Sequence, residues 1–296
     1  MAVLTPPEIA VAAVDAGAAK AETSRGRLLV GGGLAGAFIA FGGLMAVAVT
    51  SGLDPKTWGT APQFLTGAAF SVGLMLVVIA GAELVTGGIA LVALAALKGR
   101  ASWPSVGKYL LWTTLGALGG SLLVAYFFGV KSGVLTGPLQ AERLDQIATL
   151  KAIKETDWQI FLRGVGCNWL VCLAVWMAMG AKDVGGKILA IFFPIAAFVA
   201  MGFDHVVANM FFLPAAHFAG SAVGWDDILR NLALAGLGNL VGALVFVTGA
   251  YWFLYARFQP SATPSVAVPE ADGVPEANGV PTASPDPDLV PAGARS

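Results

Sequence analysis

One short stretch of the sequence places ionisable and amide side chains where the surrounding residues are almost wholly apolar. It is GFDHVVANM, residues 202–210, and it carries Asp204, His205 and Asn209. An imidazole near neutral pH can donate a hydrogen bond, accept one or take up a proton. Ionisable groups are expensive inside a membrane, and those that a membrane protein retains mark ion or proton pathways. The stretch therefore predicts anion or proton chemistry centred on His205, provided that the chain lies in a membrane.

The composition meets that condition. The chain has 296 residues, of which 57% are hydrophobic and only 12% are charged, and its mean hydropathy is +0.77. A soluble domain carries about 25% charged residues, so this chain cannot cover a water-facing surface. It is predicted to be an integral membrane protein with the lipid bilayer as its partner. The net charge of −1 gives no basic surface for nucleic acid.

Six apolar runs are long enough to cross the roughly 30 Å of hydrocarbon in a bilayer. They lie at about 28–50, 64–97, 107–129, 159–181, 187–215 and 231–256. The second and the fifth are too long and too interrupted to be simple helices. The sequence thus predicts an all-α channel domain at 28–257, an amphipathic helix within 1–27 and a disordered, Pro-rich tail at 258–296.

The distribution of Lys and Arg predicts the orientation. These residues are in excess in the segments that face the cytoplasm if both termini are cytoplasmic, as the positive-inside rule requires. We therefore expect a multi-pass protein of the cell inner (plasma) membrane with both termini inside.

The two unusual runs share a motif, which indicates an internal repeat. GAELV begins at Gly81 and GFDHV begins at Gly202, and both have the pattern Gly-x-acid-x-Val. Similar stretches, LGALGG from Leu115 and LGNLVG from Leu237, follow at nearly the same spacing. With three spans per half, the second half enters the membrane in the opposite sense. The pattern predicts two inverted three-helix repeats in which helices 2 and 5 are broken near the midplane. The half-helix N-termini at the breaks favour anions.

Three motifs together resemble the signatures of the formate/nitrite transporter family: GAELVTGG, CNWLVCLAVWM from Cys167, and GFDHVVANMF from Gly202. They occur in order on six spans, and the resemblance runs from about Thr5 to Arg257. It implies an aquaporin-like fold and a homopentamer in which each protomer has its own pore. It also implies small monovalent anions of weak acids as substrates.

The resemblance also implies roles for individual residues. Those matching the family's substrate pathway are His205, Thr86, Asn168 and Asn209. Those matching its apolar constrictions are Phe70, Leu74 and Leu84 on one side and Phe198 on the other. Val85 stands where the family often has Phe, which implies a wider constriction at that point.

The family's vestibule lysine has no exact match. Ala152 stands at the expected position, and Lys151 and Lys154 flank it. Both are candidates for attracting anions, and Lys151 is favoured.

Glu83 and Asp204 at the two breaks have a structural interpretation, since carboxylates in a pore would repel an anion. They are expected to accept hydrogen bonds from free backbone N–H groups or to pair with a basic residue such as Arg163. Thr86 has two readings that are not exclusive, as a cap of one half-helix or as a donor to a passing anion or to His205.

These observations predict a channel or transporter for weak-acid anions, with formate as main substrate and with proton-coupled or His-assisted passage. Nitrite, hydrosulfide, acetate, lactate and bicarbonate are alternative substrates. An aquaporin-type channel for neutral solutes is more remote, since the sequence lacks Asn-Pro-Ala boxes. No catalytic constellation, metal-spaced cluster or phosphate loop is visible, so an enzyme, a cofactor and a metal are not predicted.

Overall fold

The computed structural model describes residues 3–258, and these residues are almost entirely helical. The expected tail at 258–296 lies outside them apart from Phe258. An isolated antiparallel bridge between Val3 and Ala181 is the β-type pairing recorded within this range. The α-helices are α1 Pro6–Glu22, α2 Arg25–Thr50, α3 Pro55–Trp58, α4 Ala61–Leu76, α5 Val85–Leu97, α6 Trp103–Leu123, α7 Pro138–Thr149, α8 Asp157–Gly180, α9 Val184–Ala200, α10 Val206–Phe218, α11 Trp225–Ala243 and α12 Ala250–Leu254.

The helices have the lengths and apolar composition of a multi-pass membrane protein. Some of them continue through π-helical turns at Val77–Gly81, Val124–Lys131 and Leu244–Gly249. Within residues 3–258, five continuous segments are long and apolar enough to cross a bilayer: Arg25–Thr50, Ala61–Gly81, Trp103–Lys131, Asp157–Gly180 and Trp225–Phe258. The helices α5, α9 and α10 are apolar but shorter.

Both Gly-x-acid motifs interrupt the helical backbone. Residues 82–84, between the π-helical turn and α5, are not helical, and we call them the Glu83 break. Residues 201–205, between α9 and α10, form the Asp204 break. Gly81 has φ +88° and Gly202 has φ +73°, a left-handed conformation that a residue with a Cβ adopts at a cost. The glycine of each motif therefore allows the chain to turn out of one helix before the next begins.

Helix α1 is amphipathic, and one face of it is buried in the body of the protein. The Thr5 backbone N–H donates to the Glu8 carboxylate at 2.7 Å, which begins the helix as a capping interaction does. Ile9 and Val14 are buried in an apolar cluster with Leu91 of α5 and Trp176 of α8. This packing brings the end of α1 to the Glu83 break.

The segment between the third and fourth long helices forms a helix that the sequence reading did not anticipate. Helix α7 begins at Pro138, and a π-helical turn at Leu150–Lys154 follows it. Its many polar residues hide the apolar periodicity of a helix in the sequence, and only Leu144 and Ala148 of α7 are buried. This helix and the turn place Arg143 and Lys151 on the wall of a cavity.

Candidate substrate pathway

The two breaks meet at a hydrogen bond between Thr86 and His205. Thr86 Oγ1 lies 2.8 Å from His205 Nε2, and both residues are buried. Thr86 is the second residue of α5, and His205 immediately precedes α10. The N-termini of two helices thus converge on one buried pair of polar side chains, and both carry partial positive charge.

The hydrogen bonds of His205 select one tautomer of the neutral ring. The backbone N–H of Ala208 donates to His205 Nδ1 at 3.2 Å, so His205 is the N-cap of α10. A nitrogen that accepts cannot carry the proton, so in the neutral imidazole the hydrogen lies on Nε2. Nε2–H then donates to Thr86 Oγ1, which leaves the hydroxyl hydrogen of Thr86 available to another acceptor.

Thr86 is therefore not the cap of α5. The N-cap position of α5 is held by Leu84, which has no side-chain acceptor. Of the two interpretations of Thr86, the structure contains the contact with His205, but in the opposite direction from the one expected, since the ring donates and the hydroxyl accepts.

The carboxylate of Asp204 is fully buried and is held by two side chains, one from the π-helical turn after α7 and one from α10. Its Oδ1 accepts from Lys151 Nζ at 2.9 Å and from Asn209 Nδ2 at 2.8 Å. Lys151 Nζ also donates to the carbonyl of Phe203 at 3.1 Å. These bonds fix the backbone of the Asp204 break and neutralise the Lys151 charge.

Two asparagines that sequence reasoning missed complete this network. Asn239 Oδ1 accepts from the N–H of Val206 at 2.9 Å, and its Nδ2 donates to the carbonyl of Asp204 at 2.8 Å. Asn231 Oδ1 accepts from Asn209 Nδ2 at 2.8 Å. One signal was in the sequence: Asn239 interrupts LGNL where the first half has LGAL, and a buried amide needs partners.

The Glu83 carboxylate also accepts from two side chains, but its lysine partner is more exposed than Lys151. Its Oε2 accepts from Lys20 Nζ at 2.7 Å and from the Tyr109 hydroxyl at 3.0 Å. The Tyr109 hydroxyl also reaches the carbonyl of Leu84 at 3.3 Å. Neither Lys20 nor Tyr109 was singled out in the sequence, since they lie far from Glu83 along the chain.

The expectation that Arg163 pairs with one of these two carboxylates is wrong. Arg163 forms an ion pair with Glu155, while the partners of Glu83 and Asp204 are lysines. Arg163 contributes to the Asp204 break only through its backbone carbonyl, which lies 3.4 Å from the Asp204 nitrogen.

A cavity of about 260 Å³ opens beside His205, and we call it the Lys151 cavity. Its walls include Lys151, Asn209, Phe70 and Phe198. The rings of Phe70 and Phe198 are 6.0 Å apart and meet edge to face, and Phe198 is 6.0 Å from the His205 ring. The two phenylalanines thus form an apolar wall next to the imidazole.

A second cavity of about 520 Å³ lies at the Glu83 break, and we call it the Lys20 cavity. It is lined by Lys20, Arg27, Leu74, Glu83 and Leu84 among others. Leu74 and Leu84 therefore line the same cavity, and their role as a constriction remains a prediction.

The grouping of Phe70 with Leu74 and Leu84 is wrong. Phe70 lines the Lys151 cavity with Phe198. Val85 lines neither cavity and lies in a lateral groove with Thr86, Leu110 and Val206.

The structure separates the two lysine candidates by position. Lys151 lines the Lys151 cavity, whereas Lys154 is exposed and is not part of its wall. The side chain of Lys151 is 12% exposed, so it is close to the buried network and still accessible from the cavity.

Asn168 lies behind the Thr86–His205 pair. Its Nδ2 donates to the carbonyl of Thr86 at 3.2 Å and to that of Asn239 at 2.7 Å. Both of its N–H donors are thus used on backbone. The Cys172 thiol also approaches the Thr86 carbonyl, at 3.4 Å. These contacts hold the start of α5 in place, and a role in the pathway for Asn168 remains a prediction.

Metal chemistry has no counterpart among the described residues. Between residues 3 and 258, no group of three or more His, Cys, Asp or Glu side chains could hold an ion. The site is instead a set of hydrogen-bond donors and cationic side chains beside apolar walls, which suits a small anion.

The sequence is similar to those of several known proteins over most of its length. It matches the family described as "Formate/nitrite transporter" over residues 7–253. It is 46% identical to the "Uncharacterized transporter YrhG" of Bacillus subtilis (strain 168) over 87% of this chain and 96% of that protein. It is 42% identical to the "Probable formate transporter" of Methanothermobacter thermautotrophicus, over 86% of this chain and 97% of the other.

Two further similarities concern a named channel and a solved structure. The chain is 40% identical to the "Formate channel BtFdhC" of Bacillus thuringiensis, over 87% of this chain and 98% of that protein. A solved structure described as "Pentameric formate channel with formate bound" matches with a TM-score of 0.70 and 30% identity, over 78% of this chain and 98% of the other.

Proposed function

The chain belongs to the formate/nitrite transporter family, and from that premise we propose that it is a homopentameric channel for small monovalent weak-acid anions, with formate as its main substrate. Members of the family are transporters and channels, so the prediction that the chain is not an enzyme is confirmed. The support for formate is that two of the similar proteins are named for it. The support for a pentamer is the similarity to a pentameric formate channel.

The proposed arrangement in the membrane has six crossings in two inverted repeats. The second crossing is α4 with α5, and the fifth is α9 with α10, each interrupted near the midplane by its break. Both termini are cytoplasmic and the bilayer is the inner membrane. The Lys151 cavity is then the outer vestibule, and the Lys20 cavity is the inner one.

One observation carries the proposal, namely the buried Thr86–His205 hydrogen bond at 2.8 Å between two helix starts. An anion in the Lys151 cavity must pass the wall of Phe70 and Phe198, where a bare charge is costly. The proton affinity of a carboxylate or nitrite rises as it loses hydration. It then takes up a proton from the solution on the side from which it entered, and the neutral acid passes the apolar residues at a much lower cost.

His205 and Thr86 have separate tasks in this mechanism. The hydroxyl hydrogen of Thr86 is the free donor at the point where the anion leaves water, and Nε2–H of His205 orients and polarises that hydroxyl by donating to Thr86 Oγ1. They stabilise its charge until it is protonated, and the N-termini of α5 and α10 add to the same field. Proton coupling follows because a proton travels with each anion.

The test is anion flux into proteoliposomes that contain the purified full chain. We expect formate to give the highest flux in a panel with nitrite, hydrosulfide, acetate, lactate and bicarbonate, and internal acidification to accompany uptake. Nitrite is the second candidate, because the family name includes it. Flux of glycerol or water without anion flux would instead identify a neutral-solute channel and overturn the proposal.

Two His205 variants test the mechanism in the same assay. His205→Phe fills similar volume but removes both the N-cap and the donor, so we expect weak-acid flux to be abolished.

His205→Asn keeps an N-cap and a donor but cannot titrate. We expect residual conduction with an altered pH profile that extends to anions of strong acids. Both variants are assayed after intact oligomers have been confirmed. Wild-type flux and pH profile in His205→Phe would show that the ring serves only packing.

A further inference from the structure

The Lys151 cavity contains a second cation, Arg143, which the sequence reading did not single out. Lys151 lies on the same wall, but its ammonium already has the Asp204 carboxylate at 2.9 Å and the Phe203 carbonyl at 3.1 Å. The Lys151–Asp204 pair presents little net charge to the cavity. An anion that enters must therefore be attracted by another group.

Two threonines hold the Arg143 guanidinium in a fixed orientation. Nε donates to Thr50 Oγ1 at 3.3 Å, and Nη2 donates to Thr66 Oγ1 at 3.2 Å. Each hydroxyl gives its own hydrogen to a backbone carbonyl one turn earlier, at 2.7 Å in both cases. Because a hydroxyl has one hydrogen, both oxygens can only accept from Arg143. The geometry is one in which the threonines orient the guanidinium without reducing its charge.

The charge of Arg143 has no carboxylate partner among residues 3–258. The ion pairs in that range involve Lys20, Arg100, Lys151, Arg163 and Arg230. A guanidinium has five N–H donors, and the two threonines account for two of them. Partial burial lowers the pKa of Arg143, yet the group remains charged because arginine titrates far above neutral pH. Partial burial also weakens screening by salt.

We propose that Arg143 is the docking residue of the Lys151 cavity, where its free N–H groups bind a small carboxylate before it reaches Phe70 and Phe198. The inference rests on the proposed function, since it identifies the group that captures the anion. A guanidinium binds a planar carboxylate through two parallel hydrogen bonds. The same fork fits both oxygens of formate, so Arg143 also favours carboxylates over hydrosulfide.

The experiment compares Arg143→Gln, Arg143→Lys and a matched control, Lys131→Gln. Lys131 is an exposed cation that precedes α7 and lies over the Tyr126 ring, outside the cavity wall. Formate uptake into proteoliposomes is measured against concentration at low and at high ionic strength. Loss of a charge-assisted hydrogen bond corresponds to roughly tenfold in affinity. We expect the half-saturating concentration of Arg143→Gln to rise by about that factor at low ionic strength, while the control stays at the wild-type value.

Ionic strength and the Lys variant separate docking from a purely structural role. Arg143 also connects α7 to α2 and α4, so loss of this link could lower stability and flux together. Docking predicts that Arg143→Lys recovers much of the affinity and keeps the salt dependence, because its charge remains, whereas Arg143→Gln loses the salt dependence. A structural link alone predicts equal losses in both variants and an unchanged salt dependence, which would overturn the proposal.

The outcomes also distinguish this proposal from the proposed function. No formate flux in the wild type would overturn the function itself. Formate flux in the wild type with the same half-saturating concentration in Arg143→Gln would overturn docking alone. If Arg143→Gln fails to form oligomers, Arg143→Lys decides, since docking predicts an affinity between that of the wild type and about tenfold weaker, with the wild-type salt dependence retained.

Discussion

The Glu83 break and the Asp204 break have the same sequence pattern, but they are stabilised differently. Asp204 is 0% exposed and is held by Lys151 and Asn209, while the Asn239 side chain binds the surrounding backbone. Glu83 is 23% exposed and is held by Lys20 and Tyr109. The break that carries His205 is thus the more buried and the more extensively hydrogen-bonded. The other break depends in part on a side chain from the N-terminal helix α1.

The residues that follow the two acids differ in a corresponding way. Leu84 and His205 occupy equivalent positions, each being the N-cap of the next helix. His205 caps α10 through Nδ1, whereas Leu84 offers no side-chain acceptor to α5. The polar side chain in the first turn of α5 is Thr86, and it forms a hydrogen bond with His205 at the start of α10. The comparison indicates that one buried hydrogen bond, between Thr86 and His205, links the two breaks. The hydrogen bonds around Asp204 hold the backbone next to His205 and so position its ring.

The largest expected effect is a difference in thermal stability between variants that lack the Asp204 carboxylate and variants that lack the Glu83 carboxylate. Asp204→Ala removes the partner of a largely buried lysine and one further hydrogen bond, from Asn209, and breaking a buried pair costs about 3 to 5 kcal/mol. Glu83→Ala breaks a partly exposed pair, which is worth about 1 kcal/mol or less. We therefore expect the thermal midpoint of the solubilised oligomer to fall much further in Asp204→Ala than in Glu83→Ala.

Tryptophan fluorescence on heating measures both variants beside the wild type. Lys20→Met, which breaks the same pair as Glu83→Ala from the other side, is the matched control and should shift the midpoint as little. Equal shifts for the two acids would show that the difference in burial has no energetic consequence.

The sequence was sufficient to locate both breaks and the residues in them. The two acids and the histidine stand out because ionisable residues in an apolar segment are rare and costly. Gly81 and Gly202 stand out because each begins the same motif. The ends of the first five apolar runs also agreed to within four residues, since apolar length alone defines a span, but helix α11 of the sixth run begins at Trp225, six residues before the expected start. These features are local, and local patterns can be recognised from sequence alone.

The partners of those residues could not be predicted in the same way. Lys20 and Glu83, or Lys151 and Asp204, are far apart in the chain, and the pairing depends on how helices pack. Arg163 was expected as a partner only because of its positive charge. In the structure it pairs with Glu155 instead. Helix α7 was missed because its polar surface resembles that of a loop, and with it the position of Arg143.

The second prediction concerns Lys151 and Lys154, the two candidates for the vestibule lysine. Lys151→Met removes the cation that holds Asp204, so we expect formate flux to fall several-fold at both low and high ionic strength. Lys154→Met removes an exposed charge outside the cavity wall, and we expect a small loss that disappears at high salt, where the Debye length is short.

Proteoliposome uptake at two ionic strengths distinguishes the two lysines. Oligomer content is determined for each variant, since Lys151 contributes to the Asp204 network. A larger loss in Lys154→Met than in Lys151→Met would contradict the assignment of Lys151 to the pathway.

The smallest expected effect concerns the first residues of the two short helices, Val85 and Val206. They occupy equivalent positions after their breaks, and both lie in the lateral groove beside Thr86. The resemblance to the family implies that a Phe at position 85 narrows the pore. Val85→Phe should therefore reduce flux of acetate and lactate a few-fold and that of formate less.

Val206→Phe adds the same volume to the same groove, so it is the control for overpacking, which disturbs a packed site without regard to substrate. Relative flux of formate, acetate and lactate is measured for both variants. A size-selective loss in Val85→Phe alone would mean that the Glu83 break sets the size limit while the Asp204 break provides the proton chemistry. Equal losses for all three anions in both variants would show instead that Val85 only packs against its neighbours, and the division of tasks between the two breaks would lose its support.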